Sequence, residues 1–437
     1  MTAEISVMNK SGVALAADSK ATVRIQGVIK THDTANKLFT LSKYHPVGIM
    51  INGNAEFMQT PWETLIKIYR EKLKAKCLPV LEKYLDDFCL ALVADYGFSE
   101  ESQEINAYFL FCDFLAPLLQ SAQECLKQGK TPDEALNETI ASYNEQALST
   151  ADCQSLSGIS SENIISLYSE EIDVAIADNF GGVDEIKRSQ LREYLSKIIL
   201  KDVFSGSCSE VVIAGYGNDE IFPSVKAYRV DGIIAGKLKF AVSHERKITI
   251  GKEGCASDIH PFAQREMVDR FMLGVDPIYA RYMEHGFNVI LRQVIEGLVQ
   301  KLAAEDSEKK TQILEQVQKG ADTMMEKFFG QIHSYSYKAF AKPVLDMTQL
   351  LPKEELAHLA ESLVNLTSFK RRMSLDAESV GGPIDVAVIS KGDGFVWIKR
   401  KHYFNIEFNR SFMDNYFRNH IDGKGETAHD RRKKRAE

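Results

Sequence analysis

The chain has no His-x-x-x-His and no Gly-x-Ser-x-Gly, so neither a helical zinc-protease pair nor a serine nucleophile elbow is available to it. Its seven cysteines (Cys77, Cys89, Cys112, Cys125, Cys153, Cys208, Cys255) are odd in number, scattered, and nowhere spaced as a metal or redox pair. That usage fits a reducing compartment. No basic n-region followed by an apolar h-region opens the sequence, and no apolar run reads as long enough to span a bilayer. The expectation is a cytoplasmic protein with no membrane partner, no metal and no other cofactor. Strong net charge is also missing. A balance of -8 over 437 residues is mild acidity, which argues against a nucleic-acid partner. The one basic cluster, Asp430-Arg-Arg-Lys-Lys-Arg435, reads as part of a solvated polar tail over residues 420 to 437.

What is present is ample core material, 44% hydrophobic residues, arranged in two alternating periods. Residues 3 to 8 and 13 to 18 flank an Asn9-Lys-Ser-Gly12 turn, and 38 to 41 and 47 to 52 flank Ser42-Lys-Tyr-His-Pro46, which predicts two hairpins. Val47-Gly-Ile-Met-Ile51 is apolar throughout, as expected of a strand covered on both faces. From about Thr60 the period becomes helical, with Trp62, Leu65, Ile66, Tyr69 and Leu73 on one side. Strand patterns return at 210 to 217, 224 to 230, 237 to 242 and 246 to 250. Helical spacing follows over 261 to 370, then a last pair at 384 to 389 and 394 to 398. Hairpin-built strand blocks separated by helical blocks predict an α+β fold of two packed antiparallel sheets with helices outside.

Thr2 directly follows Met1. A residue this small permits methionine trimming, after which one residue would carry both a hydroxyl and a free α-amine, a base able to activate that hydroxyl. A Met-Thr start alone carries little weight. The residues after it carry more.

Thr2, the turn closing at Gly12, the second strand ending Ala17-Asp18, and then Lys20-Ala21-Thr22 together resemble the start of the proteasome β-subunit family and its bacterial heat-shock peptidase relatives, including the Thr2-to-Asp18 spacing. Asn36-Lys37-Leu38-Phe39 looks like that family's lysine-bearing strand, and Ile51-Asn-Gly53-Asn-Ala55 like its glycine-containing substrate strand. Gly381-Gly382-Pro-Ile-Asp385-Val-Ala-Val-Ile389 with Asp393-Gly394 is similar to its final hairpin. The resemblance implies an N-terminal nucleophile hydrolase-like four-layer α/β/β/α sandwich with enlarged helical insertions. Its segments would be a first part of the core at 2 to 73, a helical insertion at 74 to 205, a second core part at 206 to 290, another insertion at 291 to 375, and a final core hairpin at 376 to 410.

The same resemblance implies a peptide-bond hydrolase with Thr2 as nucleophile, Lys37 beside it, Asp18 holding Lys37, and Gly53 N–H as oxyanion donor. Thr22 and Ala55 would pair with an extended substrate, and Ile51 would line the pocket for the residue before the scissile bond. Asp376 and Ser379 have the internal spacing of a supporting pair, although Val380 intervenes before Gly381. The family's glycine-serine-glycine turn before its third helix has only Gly254-Cys-Ala-Ser257-Asp258 as a counterpart. Implied partners are further copies in a ring or related homo-oligomer, a peptide or unfolded protein substrate, and an ATP-dependent unfoldase. Two alternatives stand beside this one: a catalytically inactive proteasome-like scaffold, and an amidase acting on a small molecule.

Overall fold

The first hairpin is buried on both faces and takes the middle of a sheet. The computed structural model describes residues 2–25, 28–251, 254–302, 307–375, 379–402, 404–411 and 414. Asp376 and the basic tail from 420 lie outside the described residues. In chain order the strands are β1 (Ala3–Asn9), β2 (Gly12–Ala17), β3 (Ala21–Ile25), β4 (Val28–His32), β5 (Leu38–Thr40), β6 (Val47–Gly53), β7 (Glu56–Phe57), β8 (Thr60–Pro61), β9 (Ser209–Gly215), β10 (Ser224–Ile234), β11 (Lys237–Lys247), β12 (Ser257–Ala263), β13 (Asp385–Ser390) and β14 (Gly394–Lys399). The α-helices are α1 (Trp62–Leu73), α2 (Leu81–Ala94), α3 (Glu100–Lys127), α4 (Pro132–Ser149), α5 (Ser161–Phe180), α6 (Glu185–Ile198), α7 (Glu266–Leu273), α8 (Pro277–Leu302), α9 (Ser307–Ser336), α10 (Lys342–Thr348) and α11 (Lys353–Met373).

Two five-stranded antiparallel sheets result, one ordered β12-β1-β2-β13-β14 and the other β11-β10-β9-β6-β5. Because side chains alternate along a strand, each apolar strand serves two cores at once. Met8, Leu15 and Ile389 of the first sheet meet Met50, Val212 and Ala227 of the second. The opposite face of the first sheet, including Ile5, Val7 and Ala16, packs on Leu356, Ala360 and Val364 of α11. The opposite face of the second, including Ile49, Ile51 and Ile213, packs on Trp62 and Ile66 of α1 and Phe88 of α2. The protein is therefore a mixed α+β fold built on antiparallel sheets.

Helices α3 to α6 form a core of their own around Phe111, Leu115, Ile172 and Leu195, which touches the strands through Ile234. By length and composition α3 is apolar enough to cross a membrane, which corrects the expectation that no segment would be. In this structure Phe111, Leu115 and Leu118 of that helix are packed against its neighbours. Three other expectations change. The runs at 237 to 242 and 246 to 250 belong largely to one strand, β11, whose pairing with β10 continues past a bulge at Ala227/Tyr228. Residues 21–25 and 28–32 pair antiparallel as β3 and β4. Residues 257–263, assigned by the sequence to a turn and the start of helical spacing, form β12 and pair with the whole of β1.

Candidate active site at the start of the first strand

The turn between β1 and β2 fixes their register, with Glu4 opposite Ala17 and Asn9 opposite Gly12. Asp18 consequently falls just past β2 and beside the residue that follows Thr2. Ala3 N–H donates to Asp18 Oδ1 at 3.0 Å, and Asp18 N–H returns to the Ala3 carbonyl at 3.1 Å. The same Oδ1 accepts from Lys37 Nζ at 2.7 Å, while Oδ2 accepts from Lys20 N–H at 3.2 Å and Gly381 N–H at 2.9 Å. Four donors saturate an ionised carboxylate. The Asp18 side chain is wholly buried and that of Lys37 nearly so. A second bond runs from Lys37 Nζ to the Lys20 carbonyl at 2.7 Å, and Ile51 N–H reaches the Lys37 carbonyl at 2.9 Å. The lysine is thus fixed at its head and its backbone.

Three of the expected residues are accordingly in one place: Thr2 through its neighbour Ala3, Asp18, and Lys37. Thr2 is 6% exposed, and its carbonyl accepts from Gln264 N–H at 3.1 Å. Gln264 was not anticipated. It follows Ala263, whose φ of 60° turns the chain out of β12, and its side-chain oxygen accepts from Arg371 Nε of α11 at 2.9 Å. Only the unforeseen pairing of β12 with β1 brings it to Thr2.

Gly53 ends β6 opposite Ser209 with φ of 84°, and a Cβ there would lie 2.3 Å from the Cys208 carbonyl oxygen. Any other residue would meet both backbone strain and a clash. Alternation along β6 directs Gly53 N–H to the same edge as Ile51 N–H, toward the Lys37 end of β5. Gly381 closes the site from the last hairpin, donating to Asp18 and accepting Ser19 N–H at 3.1 Å. Gly382 beside it has φ of 74°, and its missing Cβ makes room for Asp33.

Ser379 is buried two residues before Gly381, and its Oγ has no partner among the described residues. Ser257 lies at the Asn9 end of β1, away from Thr2, and its Oγ donates to the Leu345 carbonyl at 2.7 Å. Thr22 pairs with Thr31 in the β3–β4 hairpin, its Oγ1 buried without a partner among the described residues. Ile51 is buried in the core beneath α1 and α2. Ala55 is exposed just after β6, with its carbonyl taken by Trp62 N–H at 3.1 Å.

Glu4 adds a feature that strand alternation hid. It points between the sheets, where Asn52 Nδ2 lies 3.5 Å from its Oε2 and 2.9 Å from Glu210 Oε2, while Glu4 Oε1 is buried without a partner among the described residues. Burial pushes the Glu4 carboxyl up to about 8, with the Lys37 charge opposing that rise and the Asp18 charge adding to it. At neutral pH it is a protonated acid one residue beyond Ala3.

The chain matches no model of a known protein family and no curated protein. Function has to be read from this geometry.

Proposed function

We propose that the chain is a threonine hydrolase of the N-terminal nucleophile type, similar to proteasome β-subunits, that cleaves amide bonds in peptides. The observation that carries this reading is the buried carboxylate of Asp18, which holds Ala3 N–H with one hand and Lys37 Nζ with the other. Supporting it, two facing antiparallel sheets carry helices on both outer faces, the order expected of the four-layer sandwich.

In this mechanism Met1 is removed and the Thr2 α-amine, with an ordinary pKa near ~7.7 to 8.0, takes the proton from Thr2 Oγ. The oxygen attacks the scissile carbonyl, and Gly53 N–H receives the oxyanion. Lys37 supplies a fixed positive charge for the developing alkoxide, which costs no reorganisation because Asp18 and the Lys20 carbonyl already hold it. The amine's proton passes to the leaving nitrogen, and water then hydrolyses the Thr2 ester. A homo-oligomer belongs to this reading, and an ATP-dependent unfoldase would be needed for folded protein substrates.

A second reading, a scaffold that keeps the fold without the chemistry, is favoured by Ser379, whose hydroxyl lacks a partner among the described residues, and by Ser257, which is remote from Thr2. Turnover of a fluorogenic peptide library and of small amides by wild type, Thr2→Ser and Thr2→Ala separates the readings. Peptide cleavage retained in part by Thr2→Ser and lost in Thr2→Ala is expected. Equal turnover by Thr2→Ala overturns the assignment, hydrolysis of small amides alone favours the amidase, and no turnover favours the scaffold.

A further inference from the structure

The Thr2–Ala3 peptide is held from both edges. On the β2 side Ala3 N–H donates to Asp18 Oδ1 at 3.0 Å, and on the β12 side the Thr2 carbonyl accepts from Gln264 N–H at 3.1 Å. With that plane fixed, Thr2 Cα is fixed too, and only rotations about its Cα–C and Cα–Cβ bonds remain to place the amine and the hydroxyl. The Asp18 edge is anchored by Lys37 and Gly381. The Gln264 edge has a different support.

The chain leaves β12 through Ala263 at φ of 60°, a left-handed conformation that an alanine keeps only where its surroundings enforce it. Arg371 supplies a hold on the next residue. Its Nε donates to Gln264 Oε1 at 2.9 Å, and its Nη2 donates to the same oxygen. That Nη2 also stands 3.5 Å from Glu266 Oε1, while Lys370 Nζ is 3.3 Å from Glu266 Oε2. An arginine in the last turn of a helix is ordinarily a solvated partner of the helix dipole. Arg371 occupies that turn of α11 and is only 8% exposed. A guanidinium leaves water at little cost only where acceptors replace its hydration, and here the Gln264 oxygen takes two of its donors. α11 lies on the outer face of the first sheet, in the same core as Ala3 and Ile5. Arg371 is therefore delivered from an element already packed on the strand it serves.

We propose that Arg371 is a positioning residue for Thr2, gripping Gln264 so that the Gln264 N–H holds the Thr2–Ala3 peptide and with it the point from which the Thr2 hydroxyl and amine swing. Its bearing on catalysis rests on Thr2 being the nucleophile. Arg371 acts through Gln264, and a displacement of about 1 Å at the attacking group costs about 100-fold in rate. The planar fork that sets two donors on one oxygen belongs to arginine, so a lysine does not replace it.

Arg371→Met, Arg371→Lys, Gln264→Ala and Gln264→Glu in the full chain test this, each checked by thermal melting. In Arg371→Met the Gln264 amide hydrogen should exchange at least about tenfold faster than in wild type, as expected for loss of hydrogen bonds to a charged group. Acylation of Thr2 by a β-lactone should slow by about tenfold or more, with the KM for peptide unchanged because the loss falls on the transition state. Arg371→Lys should behave like Arg371→Met. Gln264→Ala should match them, and combining it with Arg371→Met should add little; Gln264→Glu still offers Arg371 an oxygen and should acylate as wild type does. If Arg371→Met melts too early to assay, Gln264→Ala carries the same test with Arg371 in place. Wild-type exchange at Gln264 in folded Arg371→Met, or undiminished acylation in that variant, would overturn the proposal. A wild type left unlabelled at Thr2 would instead overturn the nucleophile reading, and the exchange rates would still decide whether Arg371 holds the Thr2 peptide.

Discussion

Lys37 Nζ and Ala3 N–H both donate to one oxygen of Asp18, at 2.7 and 3.0 Å, so the lysine and the strand that begins at Ala3, directly after Thr2, are tied through a single buried carboxylate. Movement of either would be felt by the other. This shared acceptor makes Asp18 and Lys37 a coupled pair.

Lys37→Ala should therefore remove most of the acylation rate, a loss of about 100-fold or more if its charge acts like an oxyanion donor. Adding Asp18→Ala should remove little more, since groups acting as a unit lose their effects non-additively. Asp18→Ala alone strands a buried ammonium and should cost about 3 to 5 kcal/mol of stability. Single-turnover acylation across the double-mutant cycle, with melting of each variant, checks both. Strictly additive rate losses in folded variants would contradict the coupling.

Glu4 gives stability a pH dependence with a definite sign. The folded chain keeps a proton up to about 8 that an unfolded glutamate releases near 4.5. Stability from this group is thus full below about 4.5 and falls as pH rises to about 8, flattening beyond. Glu4→Gln cannot ionise. Its melting temperature relative to wild type should climb between pH 5 and 8, whereas a constant difference would show that Glu4 does not titrate in this window.

Gly53→Ala should be destabilising and should abolish turnover. At φ of 84° with Cys208 O only 2.3 Å from the new Cβ, β6 must shift from β9, at a cost of about 1 to 3 kcal/mol for the backbone strain alone. Thermal melting together with peptide turnover reads both effects. A variant as stable and as active as wild type would remove Gly53 from the site.

The protein should be a homo-oligomer at micromolar concentration. On α8 and α9 the side chains of Tyr282, Ile290, Val294, Met324, Phe328 and Tyr335 are exposed, and apolar side chains exposed together mark an interaction surface. Light scattering on wild type and on an Ile290→Lys/Met324→Lys variant tests this, the variant being expected to dissociate. A monodisperse wild-type monomer would contradict it.

The pairing of Ala3 with Asp18 is legible because a short turn sets hairpin register locally, and the apolar run at Val47 announces a strand covered on both sides. Lys37 and Gly53 are legible only through family resemblance, since nothing in their immediate sequence says what they face. Gln264 and Gly381 reach the site from segments far along the chain, past helical stretches whose length hides which strand pairs with which. The extra Val380 blurs the approach to Gly381 in the same way, and a Gly254–Asp258 turn was expected where β12 begins. The burial of Glu4 is not legible in the sequence, because a second sheet over that face leaves no local trace.

The most direct test of the central claim is the intact mass of native protein before and after treatment with a β-lactone, which acylates an activated threonine hydroxyl. The expected result is a chain lacking Met1 that gains one adduct, mapped to Thr2 and missing in Lys37→Ala. An active preparation that retains Met1 throughout, or an adduct on any other residue, would contradict Thr2 as the nucleophile.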